Sequence, residues 1–291
     1  MSHSLEKNSP CKVNLLLNIL GKRPDGFHEL ETLMQPVNLH DRLTFTRAAT
    51  GIALTCSEPT LPTDASNLVH RAAAAFFQQA GIADGIRIHL EKRIPMAAGL
   101  GGGSGNAATT LLALNEIFST PLTAGQLTAI AASLGSDIPF FLQDKPALAI
   151  GRGEQVTSLA TFPALSGAAF LLIHPGFGIA TAWAYKELAR FPAALNGERG
   201  RAEKLVALLN GSELATAGAA FYNSLEAPAL DKYPLLALYQ EFLRANGAAA
   251  TLMSGSGSTT FSITPTPAEA SRLEQLVREK FGPCWTAVVP V

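Results

Sequence analysis

The sequence predicts an α+β fold, and three observations carry that prediction. A strand, a glycine-rich loop and a helix follow one another between residues 86 and 118. The segment before them reads mainly as strands, and the chain after about residue 155 runs strand, helices, strand, strand, helix, strand. That last order suits an antiparallel sheet with helices on one face. The change of texture predicts two domains, residues 1–155 and 156–291.

Val13 to Ile19 is an apolar run that reads as a strand, Gly21-Lys22-Arg23-Pro24-Asp25-Gly26 carries turn chemistry, and Phe27 to Val37 is a second extended segment. Leu43 with Phe45, then Ile52 with Leu54, alternate and predict two more strands. Ser66 or Asn67 opens a helix through Ala80 that stops at Gly81. Ile86, Ile88 and Leu90 alternate with Arg87, His89 and Glu91, as in a half-buried strand. Beyond the glycines, Ala107, Leu111, Leu114 and Phe118 recur at helical spacing, with Ser104 placed as the N-cap.

Thr123-Ala124-Gly125-Gln126 is a capping box that predicts a helix ending near Leu134, with Gly135 just past its end. Asp137 then leads straight into Ile138-Pro139-Phe140-Phe141-Leu142, an apolar patch out of place in a solvated loop. Ala147 to Val156 reads as a strand interrupted by Gly151-Arg152-Gly153, and Ala169 to Ile173 as a buried strand. Helical patterns follow around Thr181 to Ala189, Arg201 to Leu209 and Pro234 to Asn246. Ala249 to Met253 and a segment through Ile263 flank a second small-residue loop, Ser254-Gly255-Ser256-Gly257-Ser258-Thr259. Thr266-Pro267-Ala268-Glu269 opens a helix to Phe281, and Trp285 to Val289 closes the chain as a strand.

The chain has 291 residues, 47% of them hydrophobic, enough to bury a sizeable core. Its 22 Lys plus Arg against 23 Asp plus Glu leave a net charge of −1, which argues against duplex nucleic acid as a partner. Cys11, Cys56 and Cys284 form no C-x-x-C pair and read as reduced thiols of a cytoplasmic protein, with no zinc site or disulfide framework. Met1 to Pro10 lacks the apolar stretch of a secretory signal. Thr157 to Tyr185 carries no formal charge, but Pro163, Gly167, His174, Pro175, Gly176 and Gly178 break it, against a membrane span of about 20 continuous apolar residues.

The chemistry concentrates at Pro95-Met96-Ala97-Ala98-Gly99-Leu100-Gly101-Gly102-Gly103-Ser104-Gly105-Asn106. Five glycines in seven residues free the backbone N–H groups to close on a ligand, and the helix that follows aims its positive end into the same space. A glycine-rich run also reads as a turn or a flexible linker, but strand, glycine loop and helix together favour a phosphate cradle. It is not Walker A, because no lysine or arginine occurs between Arg93 and Lys145. Nor is it a dinucleotide fingerprint, since the Gly-x-Gly-x-x-Gly spacing fails at Ser104.

This loop resembles the ATP-phosphate loop of the galactokinase, homoserine kinase, mevalonate kinase and phosphomevalonate kinase superfamily. Lys12-Val13-Asn14-Leu15, Gly135-Ser136-Asp137-Ile138-Pro139-Phe140-Phe141 and Met253-Ser254-Gly255-Ser256-Gly257-Ser258 resemble its other blocks, in the expected order. Within it, the N-terminal block followed by Arg23-Pro24-Asp25-Gly26-Phe27-His28-Glu29-Leu30 is similar to the branch that uses ATP to phosphorylate a cytidine diphosphate-linked methylerythritol in the non-mevalonate isoprenoid pathway. The resemblance implies an N-terminal domain like the second domain of ribosomal protein S5 and a ferredoxin-like C-terminal domain, with the active site in the cleft between them. It also implies a small-molecule substrate, no nucleic-acid or membrane partner, and a monomer or homodimer.

By the same resemblance, Asp137 is the catalytic base and Lys12 the cation beside it. Pro95, Gly99, Gly101, Gly102, Gly103, Ser104 and Asn106 surround the ATP phosphates, while Asn67 and Lys92 face the adenine. Asn14 positions the methylerythritol unit, Phe27 and His28 recognise cytosine, and Tyr185 covers the other face of the base. Mg2+ is expected with ATP, with no dedicated protein carboxylate for it. Taken alone, Asp137 reads as a turn acid, Lys12 and Lys92 as strand-end charges and Tyr185 as a core aromatic. Ala97, Ala98 and Gly105 depart from the family pattern, without removing a group assigned to the chemistry. The competing readings are a superfamily kinase for another small alcohol, such as homoserine or a mevalonate derivative, and a nucleotide-binding protein without catalysis.

Overall fold

Two long strands organise the chain: β1 (Ser4–Lys22) and β2 (His28–Ala48). The computed structural model describes residues 4–211 and 213–291. Residues 1–3, part of the N-terminal stretch read above, and Ser212 lie outside the described residues. Contacts divide the chain into two compact units that share both strands. One takes the chain up to Cys11 with Leu39–Pro95 and Gly101–Asp144; the other takes Lys12–Asn38, Met96–Leu100 and Lys145–Val291. Leu43 and Phe45, expected to form a strand of their own, belong to β2, because the strand continues unbroken through the polar stretch after Val37.

The first unit adds β3 (Ile52–Cys56), α1 (Leu68–Ala80), β4 (Gly85–Glu91), α2 (Gly102–Ile117) and α3 (Ala124–Leu134). β4 lies antiparallel to β2, from Arg42 opposite Glu91 to Ala48 opposite Gly85, and parallel to β3. The expected helix ends are present: Asn67 caps α1 by accepting from the Val69 N–H, Gly81 closes it with φ of 66°, and Thr123 and Gln126 form the capping box of α3. The start of α2 differs from expectation. Its cap is Gly101, at φ 70°, so Ser104 lies inside the first turn. α2 is buried along most of its length, and at Gly105 a Cβ would stand 2.5 Å from the Pro10 carbonyl oxygen. The apolar patch after Asp137 is core: Pro139–Leu142 is a 3-10 turn with Phe140 and Phe141 buried edge to face, 5.0 Å apart.

The second unit continues with β5 (Ala147–Gly151), β6 (Gln155–Ser158), β7 (Ala169–His174), α4 (Thr181–Glu187), α5 (Pro192–Leu195) and α6 (Arg201–Leu209). Then come α7 (Leu214–Gly218), β8 (Tyr222–Asn223), α8 (Glu226–Lys232), α9 (Pro234–Ala245), β9 (Ala250–Met253), β10 (Thr260–Thr264), α10 (Pro267–Phe281) and β11 (Trp285–Pro290). β5 pairs with the early half of β2, and β8 runs parallel to β1 at Leu16 and Leu17.

The expected antiparallel sheet is present, in the order β11-β7-β10-β9. Its register puts Leu171 opposite Ser262 and Val288, and Ile173 opposite Thr260 and Thr286, so these side chains share one face. Leu171, Ile173 and Met253 join Tyr239 and Leu243 of α9 and Leu273 and Val277 of α10 in one core. Full burial of a side chain of this size is worth roughly 1.5–3 kcal/mol, which is what holds both helices to the sheet.

Candidate active site

In the second unit, β1 brings Lys12 and Asn14 to one face, two residues apart. Both are buried, at 2% and 4% exposure. The Lys12 ammonium donates to Asn14 Oδ1 at 2.5 Å and to the Gly99 carbonyl at 3.0 Å. The Asn14 amide donates to Thr32 Oγ1 at 2.8 Å, and the Thr32 hydroxyl donates to the Leu16 carbonyl at 2.6 Å, which fixes the Asn14 rotamer from behind. A buried ammonium is costly unless several oxygens surround it, and these partners supply that shell.

The same unit holds the first half of the glycine loop. The Lys12 N–H donates to the Leu100 carbonyl, the Thr259 N–H to the Ala98 carbonyl and the Ser254 hydroxyl to the Gly99 carbonyl. Gly99 has φ of 75°, and a Cβ there would lie 1.9 Å from the Ser254 carbonyl oxygen. Gly255, at φ 55°, packs where a Cβ would be 3.2 Å from the Lys12 ammonium. Both positions need glycine for conformation and for space. Ala97 takes φ of 50° without being glycine.

The cytosine candidates also lie in this unit. Gly26, at φ 86°, and a bond from the Phe27 N–H to Asp25 Oδ1 shape a tight turn before β2, leaving the Phe27 ring 52% exposed. The Arg152 guanidinium sits 4.6 Å from the Phe27 ring centroid. His28 and Tyr185 meet with ring centroids 5.0 Å apart and planes tilted by 39°, so these two expected site residues are neighbours. Burial, and then the charge of Lys22, hold the His28 pKa below the ordinary imidazole value. A neutral imidazole offers one donor and one acceptor, which suits a base edge.

In the first unit, Pro95 follows β4 and leads into the loop; Gly101, Gly102, Gly103 and Ser104 then form the cap and first turn of α2. No side chain caps this helix, so its first N–H groups point at the loop space. Asn106 is buried at 2% exposure, its amide donating to Ser9 Oγ and to Asp41 Oδ2, both at 2.9 Å. Lys92 pairs with Asp41, whose side chain is fully buried. Asn67 spends its side chain on the α1 cap and on the Pro62 carbonyl. Asp137 is half-buried in the turn between Gly135, which ends α3, and the Pro139–Leu142 helix.

Asp41, Thr32 and Ser254 were not singled out in sequence. Asp41 had a readable signal: it shares strand parity with Leu43 and Phe45, so β2 puts an acid on its apolar face. Ser254 lies in the small-residue loop already noted, while Thr32 carries no signal beyond its place in a strand.

The comparisons agree with this architecture. The GHMP kinases N terminal domain matches residues 67–145 and the GHMP kinases C terminal domain residues 202–282. A 4-diphosphocytidyl-2-C-methyl-D-erythritol kinase of Pelotomaculum thermopropionicum is 42% identical over 255 residues, 87% of each chain. One of Thermosynechococcus vestitus is 41% identical, covering 93% of this chain and 90% of its own length. Among solved structures, 4-(cytidine 5'-diphospho)-2C-methyl-D-erythritol kinase superposes with a TM-score of 0.82 at 35% identity, covering 99% of this chain and 100% of that one. Homoserine kinase of Cytophaga hutchinsonii shares the fold, at a TM-score of 0.78 and 20% identity over 100% of this chain and 95% of its own. The chain therefore has the two-domain α+β GHMP kinase fold and belongs to the 4-diphosphocytidyl-2-C-methyl-D-erythritol kinase family.

Proposed function

We propose that this chain transfers the γ-phosphoryl group of ATP to the 2-hydroxyl of 4-diphosphocytidyl-2-C-methyl-D-erythritol, a step of the non-mevalonate isoprenoid pathway. The observation that carries this reading is the 42% identity, over 87% of the chain, to a relative of that name. The buried Lys12 ammonium, held against the Gly99 carbonyl, supports it from geometry. The two family matches, at residues 67–145 and 202–282, lie on either side of a domain boundary near residue 155 and support that division.

In this reading Asp137 takes the proton of the acceptor hydroxyl as its oxygen attacks the γ-phosphorus, and the bond to the β-phosphate oxygen breaks to release ADP. Lys12 offsets charge on the moving phosphoryl group. Pro95, Gly99 and the N–H groups of Gly101 to Ser104, with Asn106, surround the phosphates; Asn67 and Lys92 lie toward adenine. Asn14 orients the methylerythritol unit. Phe27 and His28 take the cytosine, with Tyr185 on its other face.

The nucleotide brings Mg2+ with it. Phosphate oxygens and water would hold the ion, with Ser104 as a protein ligand. When bound, the ion neutralises charge on the β- and γ-phosphates. No helix among the described residues is long and apolar enough to cross a membrane.

The test is an ATP-consumption assay with purified protein against 4-diphosphocytidyl-2-C-methyl-D-erythritol, homoserine and mevalonate in parallel. Turnover with the first is expected; turnover with only one of the others would overturn the substrate assignment.

A further inference from the structure

The β2–β4 ladder ends at Arg42 opposite Glu91, so the next pair would be Asp41 and Lys92. There the Asp41 side chain takes over from the backbone. Its Oδ1 accepts from the Arg93 N–H at 2.7 Å and the Ile94 N–H at 2.9 Å, the last two residues before Pro95. Its Oδ2 accepts from the Asn106 amide at 2.9 Å and from the Lys92 ammonium. Asp41 is fully buried, and four donors converge on its two oxygens.

These partners sit at the two stems of the glycine loop. Arg93 and Ile94 are where the chain enters it, and Asn106, in α2, is where it leaves. Asn106 is tied further to Ser9 Oγ. The Lys92 side chain is 9% exposed, and its ammonium lies 3.4 Å from where a Cβ of Gly102 would stand, beside the first residue of α2.

We propose that Asp41 is a positioning residue for nucleotide binding: one buried carboxylate sets the distance between the stems of the phosphate loop and neutralises Lys92 beneath the helix start. The inference rests on the reading of that loop as the ATP-phosphate cradle. A cradle of backbone N–H groups works only if its stems are fixed, because displacement of about 1 Å forfeits much of the binding geometry. Removing the negative charge leaves a nearly buried ammonium uncompensated next to Gly102. Asp41→Asn keeps the side-chain shape and one carbonyl oxygen, but sets an NH2 among four donors.

The experiment measures binding by calorimetry, with MgADP and cytidine diphosphate as separate probes, at a temperature where circular dichroism shows the wild type and the variant folded. For Asp41→Asn the MgADP Kd is expected to rise about tenfold or more while that of cytidine diphosphate stays within about twofold. Asp41→Glu, which keeps the charge but shifts the oxygens, is expected to move in the same direction. Native-state hydrogen exchange on the wild type, which needs no variant, is expected to find the Arg93 and Ile94 N–H groups strongly protected. An unchanged MgADP Kd in either folded variant, equal loss of both probes, or unprotected Arg93 and Ile94 overturns the proposal. Wild type that binds MgADP but not cytidine diphosphate would count against the cytidine substrate while leaving the MgADP arm to judge Asp41.

Discussion

The Lys12 ammonium bonds the Gly99 carbonyl oxygen at 3.0 Å, across 87 positions of sequence. The Ser254 hydroxyl reaches the same oxygen, also at 3.0 Å. Three separate blocks of the chain therefore converge on one peptide of the glycine loop. The loop is held by named bonds and is not a linker.

Gly99→Ala is expected to destabilise the protein by more than ~2 kcal/mol, because it adds a left-handed alanine to a methyl with no room against the Ser254 carbonyl. Ser254→Ala removes one of the two donors and is expected to cost ~1 kcal/mol. Urea unfolding of both variants checks the order; a Gly99→Ala protein as stable as wild type would contradict the packing described.

His28→Ala is expected to raise KM for the cytidine substrate by about tenfold or more, since a site built to hydrogen-bond a base loses most when its partner is removed. KM for ATP should stay within about twofold, since the proposed reading puts His28 on the cytosine and the ATP phosphates on Gly99 to Asn106. Steady-state kinetics with each substrate varied decides it, and equal rises in both KM values would remove His28 from cytosine recognition.

His174 ends β7 at 8% exposure, its Nδ1 accepting from the Gly176 N–H at 3.2 Å and its buried Nε2 without a partner. Burial lowers its pKa below 6.5. As pH falls through 6.5 the unfolded chain takes up the proton first, so stability falls from there down to the folded-state value, at about 1.4 kcal/mol per pH unit for one fully titrating group. His174→Asn keeps an acceptor for Gly176 and should flatten that slope in part, because burial lowers the His28 and His40 pKa values as well. Urea unfolding at a series of pH values measures it; identical slopes in variant and wild type would rule the contribution out.

Local signals were the readable ones. Asn67 with Gly81, Thr123 with Gln126 and Thr266 with Glu269 mark helix ends in sequence and do so in the structure, because a cap is satisfied by residues a few positions apart. Ser104 misled because glycine at 101 can take the left-handed conformation and start the helix earlier than any side-chain cap. The interleaving of the units was not legible, since it depends on strands long enough to serve two cores. Site residues emerged through the family motifs rather than through periodicity. Asp41 shows the remaining gap: an acid on an apolar strand face announces a partner, but the partners, Arg93, Ile94 and Asn106, are fixed only in three dimensions.

The most direct measurement is 31P NMR of purified protein with MgATP and 4-diphosphocytidyl-2-C-methyl-D-erythritol, run beside Asp137→Asn. Wild type is expected to yield ADP and a new phosphomonoester resonance in equal amounts. The variant is expected to bind MgATP, checked by calorimetry, and to produce neither signal, having lost the group that accepts the hydroxyl proton. A variant that turns over at the wild-type rate, or a wild type that makes no phosphomonoester from this substrate, would contradict the proposed reaction.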